Sequence, residues 1–412
     1  MGSSVKDNNM TITHAAIIPL IGGFPVGTEK AFGTPPEFVI SYKPFASNDS
    51  HYRNYRPDVP FYLLDEENNG FNKDTMRADV IVSTCPCAGL SQLSGAASSD
   101  NPANQWMLDT TRYLLEEYRP QVYAGENAPA LAGKIGKGVR DQMYKMAKDN
   151  GYTMTLYRTK SRLHNNVQVR ERSFFFFWKG DKVPILNYYN NVGPRIEDLL
   201  RGVKSNFQTE VINKQIPSQN PYYRFVLEEI YGGITHREFS NNHMSFHGTG
   251  NIDIQSFIES KGYTYDTVAA WMEKNGLENE VKKCLHKFEK LKAGKNIMRR
   301  GLMVPFNYIG AFVSHYPLML THPDEDRYLN YREAMTIMGL PDDFELLGGR
   351  KNVNHICQNV PVQTAADMAT EIKEALEGRR EWVKAGQIFQ YNHSQKHELF
   401  DVEDSKLDNF FS

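Results

Sequence analysis

The sequence predicts an α/β protein built around a mostly parallel sheet, with a second, less regular unit inserted late in the chain. Three observations carry that expectation. Apolar runs of strand length alternate with stretches of helical spacing through the first third. Several of these runs end in turn-forming residues, as in "PLIGG" and "TCPCAG". The rhythm then lapses from about residue 180 to about 322 and returns near the end. A chain of 412 residues is long for one core, so two units, or one with a large insertion, are expected.

Taken in order, "HAAIIPLIGG", "PEFVISY" and "RADVIVSTC" read as strands. "NQWMLDTTRYLLEEYRP" has helical spacing through Met107, Leu108, Leu114 and Leu115, and the strand-like "QVYAGENAP" follows. "GKGVRDQMYKMAKDNG" reads as a helix closed by Gly151, and "RSFFFFW" as a buried strand. In the middle, "GGITHREFSNNHMSFHGTGN" reads as loop, "TYDTVAAWMEKNG" as a short helix, and "VKKCLHKFEKLKAGKNIMRRG" as strongly basic. "QTAADMATEIKEALEGRREWVKAG" reads as one late helix, and the acidic "HELFDVEDSKLDNFFS" as a loosely held end.

Composition narrows the class. Hydrophobic content of 40% with 23% charged residues describes an ordinary globular chain, and a net charge of −2 leaves any nucleic-acid contact to local patches. Four cysteines cannot form a dense disulfide framework, and no apolar run is long enough for a membrane span. The N-terminal stretch lacks a signal-peptide pattern. A reducing, cytoplasmic setting without membrane partners is expected.

Three short stretches could carry chemistry. Cys85 and Cys87 flank Pro86 at a strand end just before Gly89, a position from which a thiol can project into a cleft. A buried small hydrophobe is the competing reading, and zinc lacks a second cysteine pair. Glu126 and Asn127 end another strand, where a carboxylate can hold a substrate and shuttle a proton, or simply sit in a surface loop. Gln168, Arg170 and Arg172 alternate, so an extended strand would turn all three to one face. Two guanidinium groups there suit a phosphate, a carboxylate or a base carbonyl; a solvated polar face is the alternative.

In order and spacing these pieces resemble the DNA cytosine-5 methyltransferases. The resemblance runs from "IGGF" through Pro-Cys, Glu-Asn and Gln-x-Arg-x-Arg, then a variable basic unit, to "RYLNYREAMTIMGLPDDF" and "HICQNVPVQTAADMATEI". It covers residues 15–180 and 325–380. It implies a Rossmann-like, S-adenosylmethionine-dependent domain with a smaller target-recognition unit. Residues 1–180 would be the first part of the catalytic domain, 181–325 the recognition unit, 326–390 the returning part, and 391–412 a tail. By the same resemblance Cys87 attacks C6 of a flipped cytosine. Glu126 meets N3 and the exocyclic amine, and Arg172, supported by Arg170, clamps O2. Ser91, Asn127 and Gln168 line the substrate, and "SGAASSDNPANQ" closes over it. The donor site would comprise Leu20, Ile21, Gly22, Gly23, Phe24, Ser41, Tyr42, Asp65, Pro86, Gln358, Asn359 and Val360. Double-stranded DNA is the implied partner of a monomer, with no metal.

Lys282, Lys283, Lys287, Lys290, Lys292, Lys295, Arg299 and Arg300 could follow a phosphate backbone or form an ordinary solvated face. The departures from the family cluster on the donor side. Leu20 stands where the family has glycine, and Ser41 or Tyr42 where it has a ribose-binding acid. Cys357-Gln358 replaces Gly-Asn, and Ala88 replaces glutamine. Two alternatives follow from them: a transferase using a modified S-adenosylmethionine, and a catalytically idle DNA-binding homologue.

Overall fold

A computed structural model describes residues 12–86, 89–91, 97–204, 208–244, 252–295, 301–313, 316–348 and 352–402. Four short parallel strands come first: β1 (His14–Ile17), β2 (Val39–Ser41), β3 (Phe61–Leu63) and β4 (Val80–Ser83). Then follow β5 (Val122–Asn127), β6 (Tyr152–Lys160), β7 (Glu171–Lys179) and the two-residue β8 (Val183–Pro184). Late in the chain come β9 (Ile252–Asp253), β10 (Met303–Val304), β11 (Trp382–Val383), β12 (Ala385–Tyr391) and β13 (Lys396–Val402). Nine of these form one sheet in the order β13-β12-β6-β7-β5-β4-β1-β2-β3. β7 and β13 run against the rest.

The chain leaves β1 toward β2 and β3 and then restarts on the other side with β4 and β5. That reversal opens a crevice at the carboxyl ends of β1 and β4, the place where open α/β sheets bind ligands. Helices α1 (Gly23–Phe32) and α2 (Ala46–Tyr55) follow β1 and β2. α3 (Gln105–Arg112), continued by a π-helical turn at Tyr113–Tyr118, and α4 (Lys137–Asp149) flank β5. The sheet buries side chains on both faces. Val80, Val82, Ala124, Phe174 and Phe176 go to one core, and Ile81, Tyr123, Phe175 and Phe177 to the other.

α13 (Val362–Leu376) lies against α1, and the crossing depends on Gly27. A Cβ there would stand 2.6 Å from the Ala365 methyl and 2.7 Å from the Ala366 nitrogen. Two expectations are corrected at this end of the chain. The late helix stops at Leu376, and Trp382–Val383 and Ala385–Tyr391 are strands. The stretch 391–402, expected as part of a loose tail, completes β12 and supplies β13, which pairs with β12 from Ala385↔Val402 to Tyr391↔Lys396.

The inserted region holds α5 (Ile196–Arg201), α6 (Pro221–Phe225), α7 (His236–Asn242), α8 (Ile254–Ser260), α9 (Tyr265–Lys274) and α10 (Glu278–Lys292). Its separate core gathers Tyr223, Phe225, Phe239, Phe257, Trp271, Met272 and Cys284, while Val183, Leu186, Ile196, Leu200, Ile309 and Phe312 pack with the main core. The separate core thus draws on residues from Tyr222 to Tyr328. Part of "GGITHREFSNNHMSFHGTGN" is α7 rather than loop, started by a capping box in which Thr235 and Glu238 satisfy each other's backbone N–H; residues 245–251 lie outside the described residues. The chain returns through α11 (Tyr331–Ile337), capped the same way by Asn330 and Glu333, and α12 (Asn352–Gln358).

Candidate active site

The donor half of the site begins where β1 ends. The turn from Ile18 to Gly23 passes between the two cores, with Ile18 and Leu20 in one and Ile21 and Phe24 in the other. Ile18 (φ +51) and Leu20 (φ +52) are left-handed, a conformation costly for either side chain. Gly22 (φ +104) needs its glycine twice over, since a Cβ would also fall 2.3 Å from the buried Tyr52 ring. The Gly23 N–H, at the head of α1, donates to Asn359 Oδ1 at 2.7 Å. The closing segment is held from the other side by α2: Asn48 Nδ2 donates to Gln358 Oε1 at 2.9 Å, and His51 Nε2 meets His355 Nδ1 at 2.7 Å. His51 Nδ1 accepts from the Leu347 N–H at 2.8 Å. Burial, and then the neighbouring His355, pull the His51 pKa down to about 4.

Gly23 and the segment Asn359–Val360 are thus brought together from opposite ends of the chain. Ser41 ends β2 fully buried and donates its hydroxyl to Asp49 Oδ2 at 2.6 Å. Tyr42 follows, half-buried, its ring 5.2 Å from Trp106, which also packs on Phe45 at 4.9 Å. Asp65, past the end of β3, is exposed at the same rim and accepts from the Lys43 N–H through both oxygens, at 2.9 and 3.1 Å. Asp49, Asn48, His51 and Trp106 escape a reading by motif. Asn48, Asp49, His51 and Tyr52 are spaced as one buried helical face, which was the available signal.

The substrate half lies across the crevice. β4 runs out through Thr84, whose N–H donates to the Ile18 carbonyl at 3.3 Å, to Cys85 and Pro86. Cys85 is buried, and burial pushes its thiol up to about 11. The expected nucleophile Cys87, with Ala88 and residues 92–96, lies outside the described residues; Pro86 and Ser91 are both half-buried.

Glu126 is the second-last residue of β5, opposite Phe174 of β7, and Arg172 lies two residues before Phe174. Glu126 Oε1 and Arg172 Nε stand 2.5 Å apart, both largely buried. The N–H is not aimed at the oxygen, so the contact is a charge pair rather than a formed hydrogen bond. Arg172 is further braced by a bond from Nη1 to the Glu171 carbonyl at 2.7 Å.

The expected single face of Gln168, Arg170 and Arg172 is not observed, because β7 starts only at Glu171. Gln168 Oε1 accepts from the Phe312 N–H at 3.1 Å, and its amide nitrogen reaches Met338 Sδ at 3.1 Å. Arg170 donates to the carbonyls of Phe312 (3.0 Å) and Cys357 (2.7 Å). Both therefore tie the sheet to the returning segments. Asn127 turns inward, donating to Met107 Sδ and accepting from the Ala128 N–H. Of the expected substrate set, the structure pairs Glu126 with Arg172 near the carboxyl end of β5 and commits Gln168, Arg170 and Asn127 to packing.

A mostly parallel sheet with a glycine turn at its switch point is a Rossmann-like architecture, whose ligands bind at the carboxyl ends of the strands, and a buried carboxylate–guanidinium pair lies at that end. The sequence matches the family model for C-5 cytosine-specific DNA methylase over residues 18–374. The chain belongs to that family and is an S-adenosylmethionine-dependent DNA cytosine-5 methyltransferase. It is 22% identical over 305 residues to the type II methyltransferase M.NgoPII of Neisseria gonorrhoeae, covering 73% of this chain and 78% of that protein. Among solved structures it is similar to an E. coli prophage-encoded protein described as a DNA modification methyltransferase (TM-score 0.53, 17% identity, 89% of this chain and 99% of that one). It is also similar to the Entamoeba histolytica methyltransferase EhMeth (TM-score 0.53, 11% identity, 89% and 99%). At these identities the likeness is one of fold.

Proposed function

We propose that the chain methylates C5 of cytosine in duplex DNA with Cys87 as nucleophile, Glu126 and Arg172 as the pair that handles the ring, and plain S-adenosylmethionine as donor. The observation that carries this reading is the Glu126–Arg172 pair at the carboxyl end of β5, beside the strand whose end leads through Pro86 into Cys87. The Cys87 thiolate adds to C6 of the base, and the electron pair of the C5–C6 bond moves toward C5. Adding a thiolate to a pyrimidine puts charge on the ring, so a donor at O2 and a carboxyl group that meets N3 and the exocyclic amine lower the barrier. Arg172 supplies the first and Glu126 the second. C5, holding that electron pair, would take the methyl group as the donor's S–CH3 bond breaks and its sulfur leaves as a neutral thioether; loss of the C5 proton and elimination of the Cys87 thiolate then restore the ring.

The donor half fits an adenosyl group. Tyr42 offers a half-buried ring and Asp65 a carboxylate at the rim, while Tyr52 packs over Gly22 and Asn359 over Gly23. Thr84 Oγ1 and Asn359 Nδ2 are buried there without a hydrogen-bond partner. When bound, the donor supplies an electrophilic methyl group on a sulfonium. Leu20 through Phe24, Tyr42 and Asn359 orient it; Gln168 and Arg170 hold the surrounding segments rather than the base.

Lys282, Lys290 and Lys295 would meet the DNA backbone, since Lys283 and Lys292 pair with Glu280 and Glu289, and Lys287 lies over the Tyr222 ring. Arg299 and Arg300 lie outside the described residues. We infer a monomer acting in the cytoplasm; among the described residues no helix is long and apolar enough to cross a membrane, and no cluster of three or more potential ligands is placed to hold a metal.

The test is mass spectrometry of nucleosides from DNA of cells expressing the wild type or Cys87→Ser. A 5-methylcytosine peak that depends on Cys87 is expected. A heavier cytosine would overturn the plain donor, and no modified base would overturn the reading.

A further inference from the structure

The turn after β1 holds a leucine and a β-branched residue in left-handed backbone, and such residues persist there only when their surroundings hold them. What lies against this turn is α2. Asp49 of α2 is fully buried, and its Oδ2 takes the Ser41 hydroxyl at 2.6 Å. The Leu20 backbone N–H faces the same carboxyl group, too loosely for a formed hydrogen bond, so Oδ1 has no close partner. One carboxyl group therefore adjoins both the turn after β1 and the last residue of β2, the two chain segments that border the donor side of the crevice. Tyr52, one helical turn on, fills the space over Gly22, so the same helix face bears on the turn at two points.

We propose that Asp49 is a positioning residue of the donor site: from α2 it holds Leu20 in its left-handed conformation and fixes Ser41 beside it, the ordering that a glycine at position 20 would not require. Asp49 and Ser41 are both buried, so Asp49 acts through the turn and touches no ligand itself. The inference rests on the donor site assigned above.

The experiment titrates the full chain with S-adenosylmethionine by calorimetry for wild type, Asp49→Ala, Leu20→Gly and the double variant, with donor KM and kcat measured in parallel. Asp49→Ala is expected to weaken donor binding about tenfold, the scale of one strained backbone residue, with the loss in KM rather than kcat. In the Leu20→Gly background the same change should cost less than about threefold, because the cycle then holds a coupling. Asp49→Asn, which keeps an acceptor for Ser41, should fall between and serves if Asp49→Ala does not fold. An equal loss in both backgrounds, or no loss, would overturn the proposal. Cys87-dependent methylation by Asp49→Ala at saturating donor is expected throughout; its absence from the wild type as well would overturn the reaction assignment instead.

Discussion

Glu126 and Arg172 face each other from neighbouring strands, and removing either leaves the other charge buried and unpaired. Glu126→Gln is expected to lower kcat by roughly 10²–10⁴-fold, the usual reach of a positioned acid–base group, with a fall in melting temperature that reports the orphaned guanidinium. Stopped-flow methyl transfer and a thermal melt check the two parts separately. The cysteines divide in the same way. Cys85 is buried with a raised thiol pKa, so Cys85→Ser should still form a covalent adduct with DNA carrying 5-fluorocytosine, whereas Cys87→Ser should form none. Loss of the adduct in Cys85→Ser would show that the wrong sulfur was chosen. Arg170 shows what the motif alone does not reveal: Gln-x-Arg-x-Arg gives two arginines at equal standing, and only the carbonyls of Phe312 and Cys357 show that one of them is structural.

Among the elements, α2 and α12 meet through His51 and His355, and this junction is expected to respond to acid. The His51 pKa is depressed in the folded state, so its contribution is present above the unfolded value near 6.5 and is lost as pH falls toward about 4. Asp49, raised to about 7 by burial despite the Ser41 bond, acts in the opposite sense across nearly the same range. A pH series of melts comparing wild type with His51→Gln isolates the histidine: the wild type should lose more stability between pH 6.5 and 4, by up to about 3 kcal/mol. The α1–α13 crossing gives a second check. Gly27→Ala puts a methyl where Ala365 and Ala366 already stand and should cost about 1–3 kcal/mol by denaturant unfolding.

At the scale of the whole molecule, the lysines on and just after α10 should appear as a salt-dependent contribution to DNA binding. Replacing Lys282, Lys290 and Lys295 with alanine should flatten the slope of log affinity against log salt by roughly 0.9 for each phosphate left without its lysine. An unchanged slope would return these lysines to an ordinary solvated face and place the DNA path elsewhere.

The alternation of strand and helix, the order of the motifs and the interrupted organisation were legible in the residues, because period and turn chemistry are local properties. Glu126 and Arg172 were legible for the same reason, each standing at a strand end. β6 was not, because both faces of "YTMTLYRTK" are buried and its threonines mask the apolar period; Thr155, for one, is spent on the Trp178 indole N–H. The acidic end read as tail because β13 is exposed on both faces and is held by edge pairing with β12 rather than by burial. Sequence by itself determined the chemistry this protein carries and the order in which the chain delivers it. Only the tertiary structure decided which polar groups face the crevice and which are consumed in holding it. Those pairings join residues far apart in the chain, such as Gly23 with Asn359, and their geometry exists only once the sheet has closed around the crevice.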